Sequence, residues 1–115
     1  MIVYGIKSCD TVKKSTEWLK GHNFEFEFHD YKSKGISKEK LREWTSQVSW
    51  EVLVNKKGTT WKKLDESVKS NIVDEVSAIE LMREHTSLIK RPVIEVNGRI
   101  VAVGFKEKEY AEKLA

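Results

Sequence analysis

With 115 residues, 39% hydrophobic and 34% charged, the chain has the make-up of one soluble domain: long enough for a single core and too short for two. Its 21 basic and 18 acidic residues are interspersed and leave a formal charge of +3, too mild to point to nucleic acid. A single cysteine excludes an internal disulfide, no apolar run nears the ~20 residues of a membrane span, and the N-terminus shows no signal-peptide pattern, so the expected compartment is the reducing cytoplasm and no membrane partner is expected.

Met1 to Tyr4 reads as a short apolar strand, followed by a turn at Gly5 and the start of a helix at Cys9. A cysteine is often just a small buried hydrophobe. Here Lys7, Ser8, Asp10 and Thr11 surround Cys9 with polar neighbours, and it falls at a loop-to-helix junction where side chains stay accessible. Unpaired N–H groups and the positive end of the helix dipole converge there and favour a thiolate. Lys7, Lys13 and Lys14 push the same way, and Asp10 pushes back. The segment 11–20 puts Val12, Ser15, Thr16 and Leu19 on one face of a three-turn helix, ended by Gly21 and Asn23.

Phe24-Glu25-Phe26-Glu27-Phe28 alternates strictly and predicts a half-buried strand, parallel to the first by right-handed crossover. Residues 30–35 read as a connection. Ser37 caps a helix in which Ile36, Leu41, Trp44 and Val48 recur. A short helix around Trp50 to Val54, a loop at Gly58 and another short helix from Thr60 come next. Further helices are expected over 67–73 and 77–85, the latter opened by a capping box of Ser77 with Glu80. His22, His29 and His85 lack metal-ligand spacing, so no metal is expected.

Asn97-Gly98 between Val93–Val96 and Ile100–Val103 predicts a tight hairpin, and a last helix runs from about Lys106 to Leu114. The one proline, Pro92, stands where a strand begins, a position at which the missing N–H costs no ladder bond. The order βαβ, helices, ββα predicts one α/β domain over 1–115. It would be thioredoxin-like, with a four-stranded mixed sheet and a helical insert between strands 2 and 3 at about 33–88.

Several motifs resemble the arsenate-reductase-related family, which includes ArsC, the Spx regulators and the YffB-like branch. They are Tyr-Gly-Ile-Lys-x-Cys-Asp-Thr at 4–11, Phe-His-Asp-Tyr at 28–31, Asn-Lys-Lys-Gly-Thr-Thr-Trp-Lys-Lys-Leu-Asp at 55–65, Ile-Lys-Arg-Pro at 89–92 and Val-Gly-Phe at 103–105. The resemblance runs the whole chain and is strongest to the YffB branch. It implies a thioredoxin fold in which a cis-proline, Pro92, faces Cys9. It also implies glutathione-dependent thiol reductase activity, with glutathione as reductant or co-substrate and no bound cofactor.

The same resemblance exposes departures. Arsenate reductases of this fold surround the oxyanion with three arginines. Asn55 stands at the first position, Arg91 fills the second, and Ala102-Val103-Gly104-Phe105 supplies no third. Spx regulators usually carry a Cys-x-x-Cys switch, and here Val12 holds its second place. The expected function is therefore thiol–disulfide exchange on a glutathionylated or disulfide substrate, by a monomer, with Cys9 and Arg91 catalytic. Lys7, Asp10, Thr11, Asn55 and Pro92 are the candidates for substrate binding. An Spx-like interaction module is the alternative, and arsenate reduction with glutathione and glutaredoxin a third.

Overall fold

The structure is a computed structural model that describes residues 1–114. Four strands form one mixed sheet in the order β2-β1-β3-β4. These are β1 (Ile2–Gly5), β2 (Glu27–Asp30), β3 (Val93–Val96) and β4 (Arg99–Val103). β1 pairs parallel with β2 and antiparallel with β3, and β3 pairs antiparallel with β4. The Asn97-Gly98 hairpin forms as expected, both residues having positive φ (52° and 80°), the backbone a tight two-residue turn demands. None of the helices is long and apolar enough to cross a membrane among the described residues.

Backbone contacts divide the chain into two compact units, residues 1–34 with 91–115, and residues 35–90. The first holds the sheet with α1 (Asp10–Gly21), the single turn α2 (Tyr31–Lys34) and the C-terminal α8 (Glu107–Leu114). Register places Val3, Phe28, Ile94 and Ala102 side by side on one face of the sheet. That face packs with Trp18 and Leu19 of α1 and Tyr110 of α8 to make the core. Tyr110 ties three elements together. Its ring meets Trp18 edge-on at 5.4 Å, and its hydroxyl donates to the Gly104 carbonyl at 2.8 Å, so that it accepts from Ser15 Oγ at 2.8 Å. Both buried hydroxyls are thereby satisfied.

The second unit contains α3 (Lys38–Thr45), α4 (Trp50–Leu53), α5 (Thr59–Lys62), α6 (Glu66–Ser70), α7 (Glu75–Glu84) and a 3-10 turn over Thr86–Leu88. Leu41, Trp44, Leu53, Ala78, Met82 and Leu88 are fully buried there. Ser37 caps α3 by accepting from the Lys40 N–H at 3.1 Å, and Lys38 Nζ meets Glu80 of α7 at 2.8 Å. An isolated antiparallel bridge joins Val54 to Ile89.

Three sequence expectations shift. β2 starts at Glu27, not Phe24: the Phe24 N–H donates to the Leu19 carbonyl at 2.9 Å and Asn23 turns with φ 63°, so the first phenylalanine closes α1 instead of entering the ladder. The connection at 30–35 contains the helical turn α2, whose start the Asp30 carboxylate stabilises by accepting from the Lys32 N–H at 2.9 Å. α7 starts at Glu75 and not at Ser77. Its capping box is Asp74 with Ser77, the carboxylate accepting from the Ser77 N–H at 2.9 Å, while Glu80 pairs with Lys38 and Arg83.

Candidate functional site

Cys9 ends the turn after β1 and is the residue from which α1 departs. Its backbone is extended (φ −79°, ψ 125°), its N–H donates to Ile6 O at 3.1 Å, and its carbonyl accepts the Lys13 N–H at 3.0 Å. The first-turn N–H groups of α1 therefore point back toward the thiol. Burial pushes the half-buried thiol up, but the Val12 N–H, a hydrogen bond from the Arg91 side chain, the Thr11 N–H and the Arg91 charge outweigh it. The net effect holds Cys9 below the ordinary thiol value. The flanking lysines are not among the causes, contrary to the expectation that Lys7, Lys13 and Lys14 would share the work.

Arg91 stands two residues before β3, and the Arg91–Pro92 peptide is cis. Pro92 is buried, and its carbonyl accepts the Gly104 N–H at 2.7 Å, which ties the start of β3 to the end of β4. Arg91 thus meets Cys9 in space although the sequence separates them widely. Thr11 contributes its backbone to the site, its side chain being exposed. Asp10 is the exposed first residue of α1, and Lys7 is exposed in the turn.

Asn55 belongs to the second unit, where it has a local role. Its N–H donates to Leu88 O at 2.7 Å, and its side-chain oxygen accepts the Lys57 N–H at 3.2 Å. Its amide nitrogen lies 2.8 Å from where a Cβ on Gly58 would be, so the loop needs glycine at 58 for close approach.

Sequence reasoning missed the polar face of the sheet. Register puts His29, Tyr4 and Val93 in one row, with Glu95 the next residue on that face of β3. Tyr4 packs on His29 at 4.8 Å and on Tyr31 at 6.3 Å, and its hydroxyl donates to Glu95 Oε1 at 3.1 Å. Glu95 is 3% exposed, and Tyr31 is 2% exposed with a hydroxyl that meets no hydrogen-bond partner among the described residues. Burial raises the Tyr31 hydroxyl well above its usual range, Tyr4 and Glu95 adding to the effect and Arg91 opposing it. The available signal was one acid inside the apolar run Val93-Ile94-Glu95-Val96, since a buried carboxylate is rare unless partnered.

An open groove of about 230 Å³ lies between α1 and β2, floored by Val12, Phe26 and Phe28 and rimmed by Lys7, Lys13, Thr16 and Lys20. Cys9 is not one of its walls, although Lys7 and Val12 flank it in sequence. No group of three or more His, Cys, Asp or Glu residues suited to a metal ion occurs among the described residues.

Comparison with known proteins gives a consistent result. The family model described as ArsC family matches residues 4–113. An uncharacterised protein of Haemophilus influenzae is 48% identical over 98% of this chain and 97% of its own length. The global transcriptional regulator Spx of Streptococcus mutans is 30% identical over 89% of this chain and 74% of its own. Among solved structures, a protein named YFFB is 50% identical with a TM-score of 0.92, over 99% of this chain and 98% of that one. An arsenate reductase (ArsC) related protein from Brucella melitensis is 48% identical with a TM-score of 0.78, over 96% and 91%. A family model that matches nearly the whole chain, beside a solved structure 50% identical with a TM-score of 0.92, leaves one conclusion: the protein belongs to the ArsC family.

Proposed function

We propose that the protein is a glutathione-dependent thiol–disulfide oxidoreductase acting through Cys9. One observation carries the reading: a half-buried thiol at the start of α1, held below its ordinary pKa by backbone N–H groups and by Arg91. A thiolate near ambient pH is the efficient form for disulfide exchange. With one cysteine in the chain, the second thiol comes from outside.

In the first step the Cys9 thiolate attacks the glutathione sulfur of a glutathionylated substrate. The Cys9–glutathione disulfide forms as the substrate's own S–S bond breaks, and the substrate leaves as a thiolate that takes a proton from water. In the second step a glutathione thiolate attacks the glutathione sulfur of that mixed disulfide. Glutathione disulfide leaves and the Cys9 thiolate returns, so each glutathionylated substrate is reduced by one free glutathione, the other half of the glutathione disulfide coming from the substrate. The Arg91 guanidinium suits a glutathione carboxylate, which it can hold through two parallel N–H bonds. The Thr11 and Val12 N–H groups steady negative charge on the sulfur. Lys7, Asp10 and Pro92 border the binding region.

Mass spectrometry after treatment with glutathione disulfide tests this. The wild type gains one glutathione, lost again on adding reduced glutathione, and Cys9→Ser gains none. A wild-type protein that stays unmodified under conditions that glutathionylate a small free thiol would overturn the reading. It would leave the alternative suggested by the 30% identity to Spx, a non-catalytic docking module.

A further inference from the structure

The acid at position 95 has no part in the exchange chemistry, yet it is among the most deeply buried charged residues of the sheet. We propose that Glu95 is a positioning residue for Arg91: its buried carboxylate, oriented by the Tyr4 hydroxyl, fixes the guanidinium against Cys9. The proposal rests on the reading of Cys9 as a reacting thiol and adds the part that aims its cation.

Three observations converge on this. First, a carboxylate that is 3% exposed requires more than one neutral partner, and the Tyr4 hydroxyl at 3.1 Å satisfies only one of its acceptor sites. Second, Arg91 and Glu95 flank the same strand start, and both act on the buried Tyr31 hydroxyl, so the two charges border one small region. Arg91 also reaches the Cys9 sulfur from there. A guanidinium has five donors in a rigid fork and can serve a carboxylate on one side and a thiolate on the other. Third, the β3–β4 register slips between Ile94 and Glu95, Ile94 facing Ala102 and Glu95 facing Ile100. The extra residue, Val101, lies in β4 beside the Glu95 pairing, and irregularities of this kind are common beside functional sites.

The groups that face this cluster are Tyr4 from β1, His29 from β2, Tyr31 from α2, Arg91 from the segment before β3, and Cys9 from the start of α1. Within it the sign of Glu95's effect is diagnostic. A carboxylate acting only through its field repels a thiolate, and removing it would lower the Cys9 pKa. A carboxylate acting through Arg91 has the opposite effect, because its removal frees the guanidinium to swing away and the Cys9 pKa rises.

The experiment follows Cys9 alkylation by iodoacetamide against pH in wild type, Glu95→Gln, Arg91→Ala and the double variant. Glu95→Gln is expected to raise the midpoint and slow alkylation about three- to tenfold below it. In the Arg91→Ala background the same substitution should no longer raise the midpoint. Tyr31→Phe, which removes a hydroxyl with no partner, should leave the midpoint where it is. A midpoint that stays or falls in Glu95→Gln overturns the proposal, and so does an equal rise with and without Arg91. If circular dichroism shows Glu95→Gln unfolded, Glu95→Asp takes its place. It keeps the charge but withdraws it by one methylene, and is expected to give a smaller rise; no rise again overturns the proposal. Because iodoacetamide needs no glutathione, this result stands apart from the glutathionylation test.

Discussion

A single guanidinium and two backbone N–H groups do for Cys9 what the neighbouring lysines do not. An exposed ammonium is solvated and screened, whereas the donors at a helix start and the Arg91 side chain are held in place by the fold. Arg91→Ala should therefore slow glutathionylation of Cys9 about tenfold or more, a lost charge-assisted hydrogen bond being worth roughly 1.5–3 kcal/mol. Arg99→Ala is the matched control, since Arg99 is exposed at the hairpin end of β4 and should change the rate little. Stopped-flow or quenched mass spectrometry reads both. Equal rates for wild type and Arg91→Ala would remove Arg91 from the site.

The pH dependence has a definite sign. The folded thiol titrates below the unfolded one, so its ionised form adds stability above the unfolded value, and that contribution is lost as pH falls through the folded value. The wild type should keep its exchange rate to lower pH than Arg91→Ala does.

At the scale of elements, the junction of β1 and α1 sets the thiol's surroundings. A Cβ on Gly5 would meet Val12 Cγ2 at 2.8 Å and Cγ1 at 3.3 Å, and Val12 is a stiff β-branched residue whose N–H acts on Cys9. Gly5→Ala should destabilise by about 1–3 kcal/mol through overpacking. By moving Val12 it should also raise the midpoint of Cys9 alkylation. Urea unfolding and an alkylation pH series check the two effects separately; an unchanged midpoint would mean that the start of α1 absorbs the strain without shifting the donor. The β3–β4 hairpin was legible because Asn97-Gly98 dictates its turn locally. The start of β2 was not, since Phe24 and Phe26 satisfy the alternation of a strand whether or not a partner strand is there to pair.

At the scale of the molecule, the family resemblance and the residues present pull apart. The resemblance to arsenate reductases implies three arginines around the oxyanion, and of the three positions it implies only Arg91 is an arginine, Asn55 and the segment 102–105 supplying none. Asn55 is moreover engaged in its own loop through Lys57 and Leu88. A coupled assay with arsenate, glutathione and glutaredoxin should show no turnover above a Cys9→Ser control. Turnover comparable to that of a true arsenate reductase would mean that another cation supplies the missing charge.

The α/β class, the element order βαβ, helices, ββα, the hairpin, and Cys9 as the candidate thiol were legible in the sequence. Each of those rests on a local pattern: alternation, helical spacing, a turn dipeptide, or a polar thiol at a helix start. Only the tertiary structure decided which donors reach the thiol, that Asn55 serves its own loop, and that Tyr4, Tyr31 and Glu95 share a buried face with Arg91. The physical reason is register. Tyr4 and Glu95 meet because β1 and β3 pair antiparallel with Tyr4 opposite Val93, and that pairing brings together residues whose separation in the chain no local pattern spans.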